Sequence, residues 1–126
     1  MLADDNPAFL VAIWRLLYLL PNTRIIAEAR DGEEALTKAR RLQPDLLLLD
    51  IAMPKLNGLD VARAMQSWPR PPRIIFLSMN DGEAYRAAAR DLGALGFVAK
   101  SELVVGLIPL IERMAANEPL TGEALP

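Results

Sequence analysis

Five polar residues stand at the ends of short apolar segments, and their types suit phosphate and metal chemistry. They are Asp4, Asp5, Asp50, Ser78 and Lys100. Mg²⁺ prefers oxygen ligands and is commonly bound by one or two carboxylates together with a phosphate. An aspartate can also act as a nucleophile and form an acyl phosphate. Lysine supplies a point charge and serine a hydroxyl donor for phosphoryl oxygens, so the set as a whole suits phosphoryl transfer.

The most informative segment contains Asp50. Four leucines, Leu46 to Leu49, run directly into this aspartate, and Pro54 follows four residues later. A short unbroken apolar run is typical of a strand that is buried on both faces of a parallel sheet. Ligand sites in open α/β sheets form at the carboxyl ends of the strands. Asp50 is therefore the first candidate for chemistry.

Similar apolar segments alternate with helical patterns along the chain. We predict strands at 1–3, 24–29, 46–49, 74–77 and 95–99. We predict helices at 7–20, 32–42, 58–67 and 82–92. A last helix is expected to run from Val105 or Gly106 to Ala116. It should begin there because proline is tolerated only in a first helical turn, and this helix contains Pro109. The expected N-caps are Asn6, Asp31, and Asn80 or Asp81. This alternation predicts a parallel sheet with helices on both faces, which brings the five polar residues to one edge.

Composition excludes several classes of function. The 126 residues favour one domain. The chain has no cysteine and no histidine, which excludes thiol catalysis, disulfides, triads with histidine and most transition-metal sites. A net charge of −2 gives no basic field for nucleic acid. The longest apolar segment, from Ala8 to Leu20, is too short to span a membrane, and the acidic residues before it do not fit a signal peptide. We expect a cytoplasmic protein.

Each candidate has an ordinary explanation when it is taken singly. An acidic pair such as Asp4 and Asp5 is more often a charge pair at a helix start than a metal site. An aspartate at a strand end is usually part of a turn, and an isolated Ser78 or Lys100 is usually a loop hydroxyl or a solvated charge. The combination is what carries weight, because all five residues fall at predicted carboxyl ends of strands.

Several segments together resemble the receiver domain of bacterial two-component response regulators, of the kind that precedes a helix-turn-helix (LuxR-type) output domain. The matching segments are 3–5, 31–35, 44–54, 57–59, Ser78, 93–94 and 96–100. The resemblance covers about residues 1–117, and we expect residues 118–126 to be a tail or the start of a linker. It implies a flavodoxin-like (βα)5 doubly wound parallel sheet with strand order 2-1-3-4-5.

The resemblance also implies a phosphorylation site. Asp50 would accept a phosphoryl group from a sensor histidine kinase. Asp5 and Asp50 would bind Mg²⁺ with the backbone carbonyl of Ala52 as a third ligand, and Asp4 would act through a metal-bound water.

Three further residues match family positions that respond to the phosphoryl group. Lys100 would pair with it, and Ser78 would donate a hydrogen bond to it. Phe97 matches an aromatic switch position that turns inward when Ser78 moves towards the phosphoryl group, so a local charge would bias a two-state element.

Two of the departures from this family pattern concern the first strand and the outer helices. Only three residues precede Asp4, so we expect a short first strand that holds Asp4 and Asp5 loosely. The first and last helices carry more apolar residues than one buried face needs, and in this fold they lie side by side. We predict a two-fold dimer or an output-domain contact there, with full burial of both helices as the alternative.

Three other functions compete with this interpretation. An aspartate-nucleophile phosphatase needs a second carboxylate two residues after the nucleophile, where this chain has Ala52. A flavodoxin-like nucleotide binder needs a glycine- or hydroxyl-rich loop after the first strand, where this chain has two aspartates. A receiver that is not phosphorylated and acts only as a protein-interaction module ranks second. Contact with DNA is expected only through an output domain, because nothing after Asn117 is long enough to be one.

Overall fold

The sheet of this protein has five parallel strands in the order β2-β1-β3-β4-β5, as expected. The computed structural model describes residues 1–80 and 82–124, with side chains described as far as residue 116. The strands are β1 (Leu2–Ala3), β2 (Glu28–Ala29), β3 (Leu46–Asp50), β4 (Arg73–Ser78) and β5 (Gly96–Ala99). The helices are α1 (Pro7–Tyr18), α2 (Gly32–Leu42), α3 (Gly58–Met65), α4 (Glu83–Asp91) and α5 (Leu103–Ala124), the last preceded by a 3-10 turn at Lys100–Glu102.

Two hydrophobic clusters cover the two faces of the sheet. Helices α1 and α5 share one face, where Ile13 and Leu107 pack with Leu48 of β3. Helices α2, α3 and α4 cover the other face, where Val61 packs with Leu49. Because side chains alternate along a strand, successive leucines of β3 enter opposite clusters. The first and last helices therefore do lie on the same face, as the resemblance implied.

The first strand is short, but it is held on both sides. Its residues pair with β2 and with β3, and the Asp4 N–H donates to the carbonyl of Ala29 at 3.0 Å. Leu48 N–H donates to the carbonyl of Met1 at 2.9 Å. The expectation that Asp4 is loosely held is wrong, because ladder bonds to two neighbours compensate for the two-residue length; Asp5, in contrast, is exposed.

Other boundaries differ from the sequence-based prediction. Only Glu28–Ala29 of the predicted second strand is paired in the sheet, because its partner β1 is equally short. The N-caps at Asn6 and Asp31 are confirmed by their side-chain hydrogen bonds. Helix α4 has Gly82 as its N-cap, so the cap at Asn80 is wrong, while Asp81 lies outside the described residues.

Helix α5 begins before Val105 and continues past Ala116, so both predicted ends are wrong. Pro109 lies in its second turn, where it removes the N–H that would have bonded to the carbonyl of Val105. Close packing on β5 compensates, because a Cβ at Gly106 would lie 2.9 Å from Cγ1 of Val98. None of the helices in the described part of the chain is both long and apolar enough to span a bilayer.

A cleft of about 700 Å³ opens at the amino-terminal edge of the sheet, beside Met1, Arg24, Leu46 and Met114. The α-ammonium of Met1 donates to the carbonyl of Leu46 at 2.8 Å. Burial lowers the pKa of this ammonium from 8.0 to about 6, and the negative charge of Asp45 opposes that shift. Burial of this charged ammonium therefore lowers the free energy of unfolding, because the charge loses its hydration.

We predict that stability rises with pH between about 6 and 8 through this one group. Below pH 6 the ammonium is charged in both states, so the folded state carries the full cost of burying it. Between pH 6 and 8 the folded state releases its proton first, and above pH 8 the cost is absent, which limits the gain to about 2 to 3 kcal/mol. Urea unfolding of the free and the Nα-acetylated chain from pH 5.5 to 8.5 measures the effect. Parallel stability profiles for the two forms would contradict the prediction.

Candidate functional site

Three carboxylates meet at the carboxyl edge of the sheet. Asp4 follows β1, Asp5 is next to it, and Asp50 ends β3. One oxygen from each lies within 4.8 Å of the other two. Asp4 and Asp50 are buried, while Asp5 is exposed. The sheet order explains the meeting, because β1 and β3 are neighbours and their registers align Ala3 with Leu49.

Lys100 lies between the two buried carboxylates. Its Nζ is 2.7 Å from Oδ2 of Asp4 and 3.4 Å from Oδ2 of Asp50. The side chain is only 7% exposed, so these ion pairs are poorly screened by solvent. Lys100 follows β5, two strands from β3, and it spans the end of β4 to reach both carboxylates.

The charges at this edge are unbalanced. Three carboxylates face one ammonium, which leaves an excess of two negative charges when all are ionised. Oδ2 of Asp4 is buried and accepts no aligned hydrogen bond among the described residues, although Lys100 Nζ is close. The excess negative charge fits a divalent cation with hard oxygen ligands, so Asp4, Asp5 and Asp50 could bind a metal.

Asp50 has a perturbed acidity. Burial and, to a smaller extent, the neighbouring charge of Asp4 raise its pKa from 3.8 to about 6. The positive charge of Lys100 and the N–H of Ala52, which donates to Oδ1 at 3.3 Å, act in the opposite direction. A perturbed carboxylate at a strand end is typical of functional sites.

The loop after Asp50 is held closely between two helices. Gly58 begins α3 against the backbone of β3, where an added Cβ would lie 2.4 Å from the carbonyl oxygen of Asp50. Its N–H donates to the carbonyl of Ile51 at 2.8 Å. Lys55, with φ of 70°, reaches Asp31 at 3.6 Å. This packing fixes where Asp50 and Ala52 stand relative to the sheet.

Ser78 is buried at the end of β4 but does not bond to the carboxylates. Its hydroxyl donates to the carbonyl of Asn80 at 2.6 Å and accepts from the Asn80 N–H at 3.0 Å. The hydroxyl is therefore engaged by its own loop. Any role towards a ligand at Asp50 requires it to exchange the bond to the carbonyl.

Phe97 lies in β5 next to Phe76 of β4 and faces the cluster under α2, α3 and α4. It is half-buried. The guanidinium of Arg86 in α4 lies over its ring, 4.7 Å from the centroid. Phe97 therefore lies away from the carboxylates in this structure.

The sequence interpretation missed two aromatic contacts near these residues. One is Arg86 over Phe97, and the other is Phe9, whose ring centroid lies 4.3 Å from Nζ of Lys100. In the sequence, Phe9 is one of many apolar residues in the segment that forms α1. Only its position in the first turn after Asp4 and Asp5 could have drawn attention to it.

Comparisons with known proteins agree with this geometry. A model of the family described as response regulator receiver domain matches residues 1–111. The chain is 31% identical over 125 residues to the nitrate/nitrite response regulator protein NarL of Escherichia coli, covering 99% of this chain and 58% of that protein. The receiver-domain structure of the putative response regulator NarL from Mycobacterium tuberculosis superposes with a TM-score of 0.83 at 32% identity, covering 91% of this chain and 93% of the other.

Relatives continue differently beyond the matched part. The chain spans little more than half of NarL. It is also 33% identical over 103 residues to a protein-glutamate methylesterase/protein-glutamine glutaminase of Methanosarcina acetivorans, covering 81% of this chain and only 30% of that protein. Parts similar to this chain thus occur both in a protein named as a regulator and in a protein named as an enzyme, so the similarity does not identify an output.

We predict that Asp50 titrates near pH 6 when no divalent cation is present, and that Asp4→Asn lowers this pKa because it removes a neighbouring negative charge. The raised pKa means that the folded chain holds a proton that the unfolded chain has released. This carboxyl group therefore loses its stabilising contribution as pH rises from about 4 to about 6. A carboxyl ¹³C NMR titration measures the midpoint, with Glu83→Gln as a control at an exposed ion pair. A midpoint near 4, or one that Asp4→Asn leaves unchanged, would contradict this account.

Proposed function

The chain belongs to the response regulator receiver domain family, and on that premise we propose that Asp50 accepts a phosphoryl group from a histidine kinase and thereby controls an output. The observation that carries the proposal is the position of Lys100, whose ammonium lies between Asp4 and Asp50 at the carboxyl edge of the sheet. This is the edge at which open α/β sheets bind ligands.

Asp50 and Lys100 have different roles in the proposed phosphoryl transfer. A carboxylate oxygen of Asp50 attacks phosphorus as the bond from phosphorus to the donor nitrogen breaks, which leaves an acyl phosphate on Asp50. Lys100 is already 3.4 Å from Asp50 and pairs with the added negative charge. The raised pKa of Asp50, about 6, leaves most of this carboxyl ionised and nucleophilic at neutral pH.

We propose Mg²⁺ as the cation at the acidic cluster. Asp5 and Asp50 would ligate it, with the carbonyl of Ala52 as a third protein ligand and Asp4 acting through a bound water. When bound, the ion neutralises charge on the transferring phosphoryl oxygens. The cluster of three carboxylates facing one ammonium supports this assignment.

We propose that Ser78 and Phe97 transmit the conformational change that follows phosphorylation of Asp50. Ser78 would exchange its bond to the Asn80 carbonyl for one to a phosphoryl oxygen. The strand register pairs Phe76 with Phe97 and Ser78 with Ala99, so Ser78 and Phe97 occupy the same face of adjacent strands. A shift of Ser78 would open space on that face, and the ring of Phe97 would turn inward.

The output is proposed by analogy with relatives. The NarL regulator of Escherichia coli continues well beyond the part that this chain matches. We propose that the receiver controls a transcriptional output domain and that any contact with DNA is made by that domain. A sensor histidine kinase is the proposed donor.

Exposed apolar residues on α1 and α5 are the proposed surface for a second copy or an output domain. Trp14 and Tyr18 on α1 are 42% and 84% exposed, and Val104 and Val105 on α5 are 60% and 73% exposed. Isolated exposed apolar residues are common on monomers, but these helices share one face of the sheet. The four residues are called the α1/α5 surface below.

Incubation with acetyl phosphate and Mg²⁺ tests the main proposal. We expect one phosphoryl group per chain by intact mass, with Asp50→Asn unmodified because the nucleophile is gone. Chelation of Mg²⁺ should prevent labelling, and Glu83→Gln should be labelled like wild type. Beryllofluoride should shift NMR signals near Ser78 and Phe97 in wild type but not in Asp50→Asn. A folded wild type that shows neither label nor shift would favour the second candidate, a receiver that acts only as an interaction module.

Light scattering tests the α1/α5 surface. We expect the mass to approach that of a dimer at high concentration after treatment with beryllofluoride, because the surface buries apolar area on pairing. Val105→Glu should keep the chain monomeric, since pairing would bury an unpaired charge. Tyr85→Glu on α4, on the opposite face, is the matched control. A wild type that stays monomeric with and without beryllofluoride would exclude the dimer.

A further inference from the structure

We propose that Phe9 is a positioning residue that holds the ammonium of Lys100 between Asp4 and Asp50. The proposal rests on the proposed phosphoryl transfer at Asp50. It assigns to the first turn of α1 a role in arranging the cation that pairs with the phosphoryl group.

The contact has the geometry of a cation–π interaction. Nζ of Lys100 lies 4.3 Å from the centroid of the Phe9 ring, inside the limit of about 6 Å for such contacts. The Lys100 side chain is 7% exposed, so the attraction is weakened little by water. The ammonium thus has Asp4 and Asp50 as its charged neighbours and an aromatic face as a third.

The sheet directs Asp50 to the face that α1 covers. Leu48 of β3 packs in the cluster under α1 and α5, and Asp50 follows it by two residues on the same strand, where side chains two apart point to the same face. Lys100 begins the 3-10 turn directly after β5, and its ammonium reaches this face between Asp50 and the ring of Phe9.

The start of α1 fixes the ring relative to Asp4. Asn6 caps the helix, and its Oδ1 accepts from Ala8 N–H at 3.0 Å and from Phe9 N–H at 3.4 Å. The N–H of Asn6 donates to Oδ1 of Asp4 at 2.9 Å. One short segment therefore carries a carboxylate and an aromatic face, and both contact the same ammonium.

The ring limits where the ammonium can point. An aromatic face attracts a cation but offers no lone pair, so the N–H donors of Lys100 are directed to Asp4, Asp50 and any oxygen added beside them. A lysine on its flexible four-carbon stem would otherwise be free to turn towards water. Holding the charge in place before phosphorus arrives lowers the reorganisation that the transfer requires.

A packing role for Phe9 is the competing explanation, since the residue also contacts the cluster under α1 and α5. Phe9→Leu keeps an apolar side chain and removes the aromatic face. Phe9→Tyr keeps the face and should restore function. Trp68→Leu is the matched control, because Trp68 packs partly buried against the other cluster and is itself covered by Arg40 at 5.1 Å.

Two measurements on the whole chain test the proposal. The first is the rate of Asp50 labelling by acetyl phosphate with Mg²⁺, which we expect Phe9→Leu to lower about three- to thirtyfold, the range between an exposed and a desolvated cation–π contact. The second is acylation of Lys100 by acetic anhydride in the unphosphorylated protein, read by peptide mass spectrometry against Lys38 and Lys55. We expect Lys100 to react faster in Phe9→Leu, because the ring no longer shields it.

Every outcome decides the question. Slower labelling and faster acylation in Phe9→Leu, with Phe9→Tyr and Trp68→Leu like wild type, support the proposal. Unchanged acylation or an unchanged labelling rate in Phe9→Leu overturns it, and so does a Phe9→Tyr as impaired as Phe9→Leu, since shape would then explain the effect. If wild type is never labelled, the proposed function fails, and acylation alone decides whether the ring holds Lys100.

Discussion

Two buried carboxylates share one ammonium in this protein, and most of the structure follows from that imbalance. Asp4 and Asp50 both contact Lys100, and Asp5 adds a further negative charge at the rim. Burying charge without full compensation is costly. The rest of the fold must hold these groups together against their mutual repulsion, and it leaves the site ready to accept positive charge. The pKa of Asp50, raised to about 6, expresses the same imbalance.

The scaffold withstands this repulsion through close backbone packing around the site. Parallel ladders hold β1 between two strands even though it has only two residues. Glycine lets α3 begin directly against β3, because a side chain at Gly58 would overlap the Asp50 carbonyl. Such contacts leave Asp50 little freedom to move away. A change of charge there is more easily met by movement of Lys100 or Ser78, which are held by side-chain contacts.

The site is connected directly to the helices of the α1/α5 surface. Lys100 begins the 3-10 turn that leads into α5, and Phe9 lies in the first turn of α1. A shift of the Lys100 ammonium towards a new phosphoryl group would therefore act at the start of both helices. The same helices expose Trp14, Tyr18 and Val105. The contacts of the Lys100 ammonium and the exposed apolar residues thus lie on connected segments of the chain.

The sequence by itself determined at which strand ends the polar residues lie, with Asp50 after a run of four leucines and Lys100 after the last apolar segment, because apolar runs depend on near neighbours along the chain. It also determined the caps at Asn6 and Asp31 for the same reason. Only the tertiary structure decided that Lys100 lies closer to Asp4 than to Asp50 and that Phe9 covers it. It also decided that α5 continues through Pro109. These outcomes depend on packing between segments far apart in the chain, which no local pattern encodes.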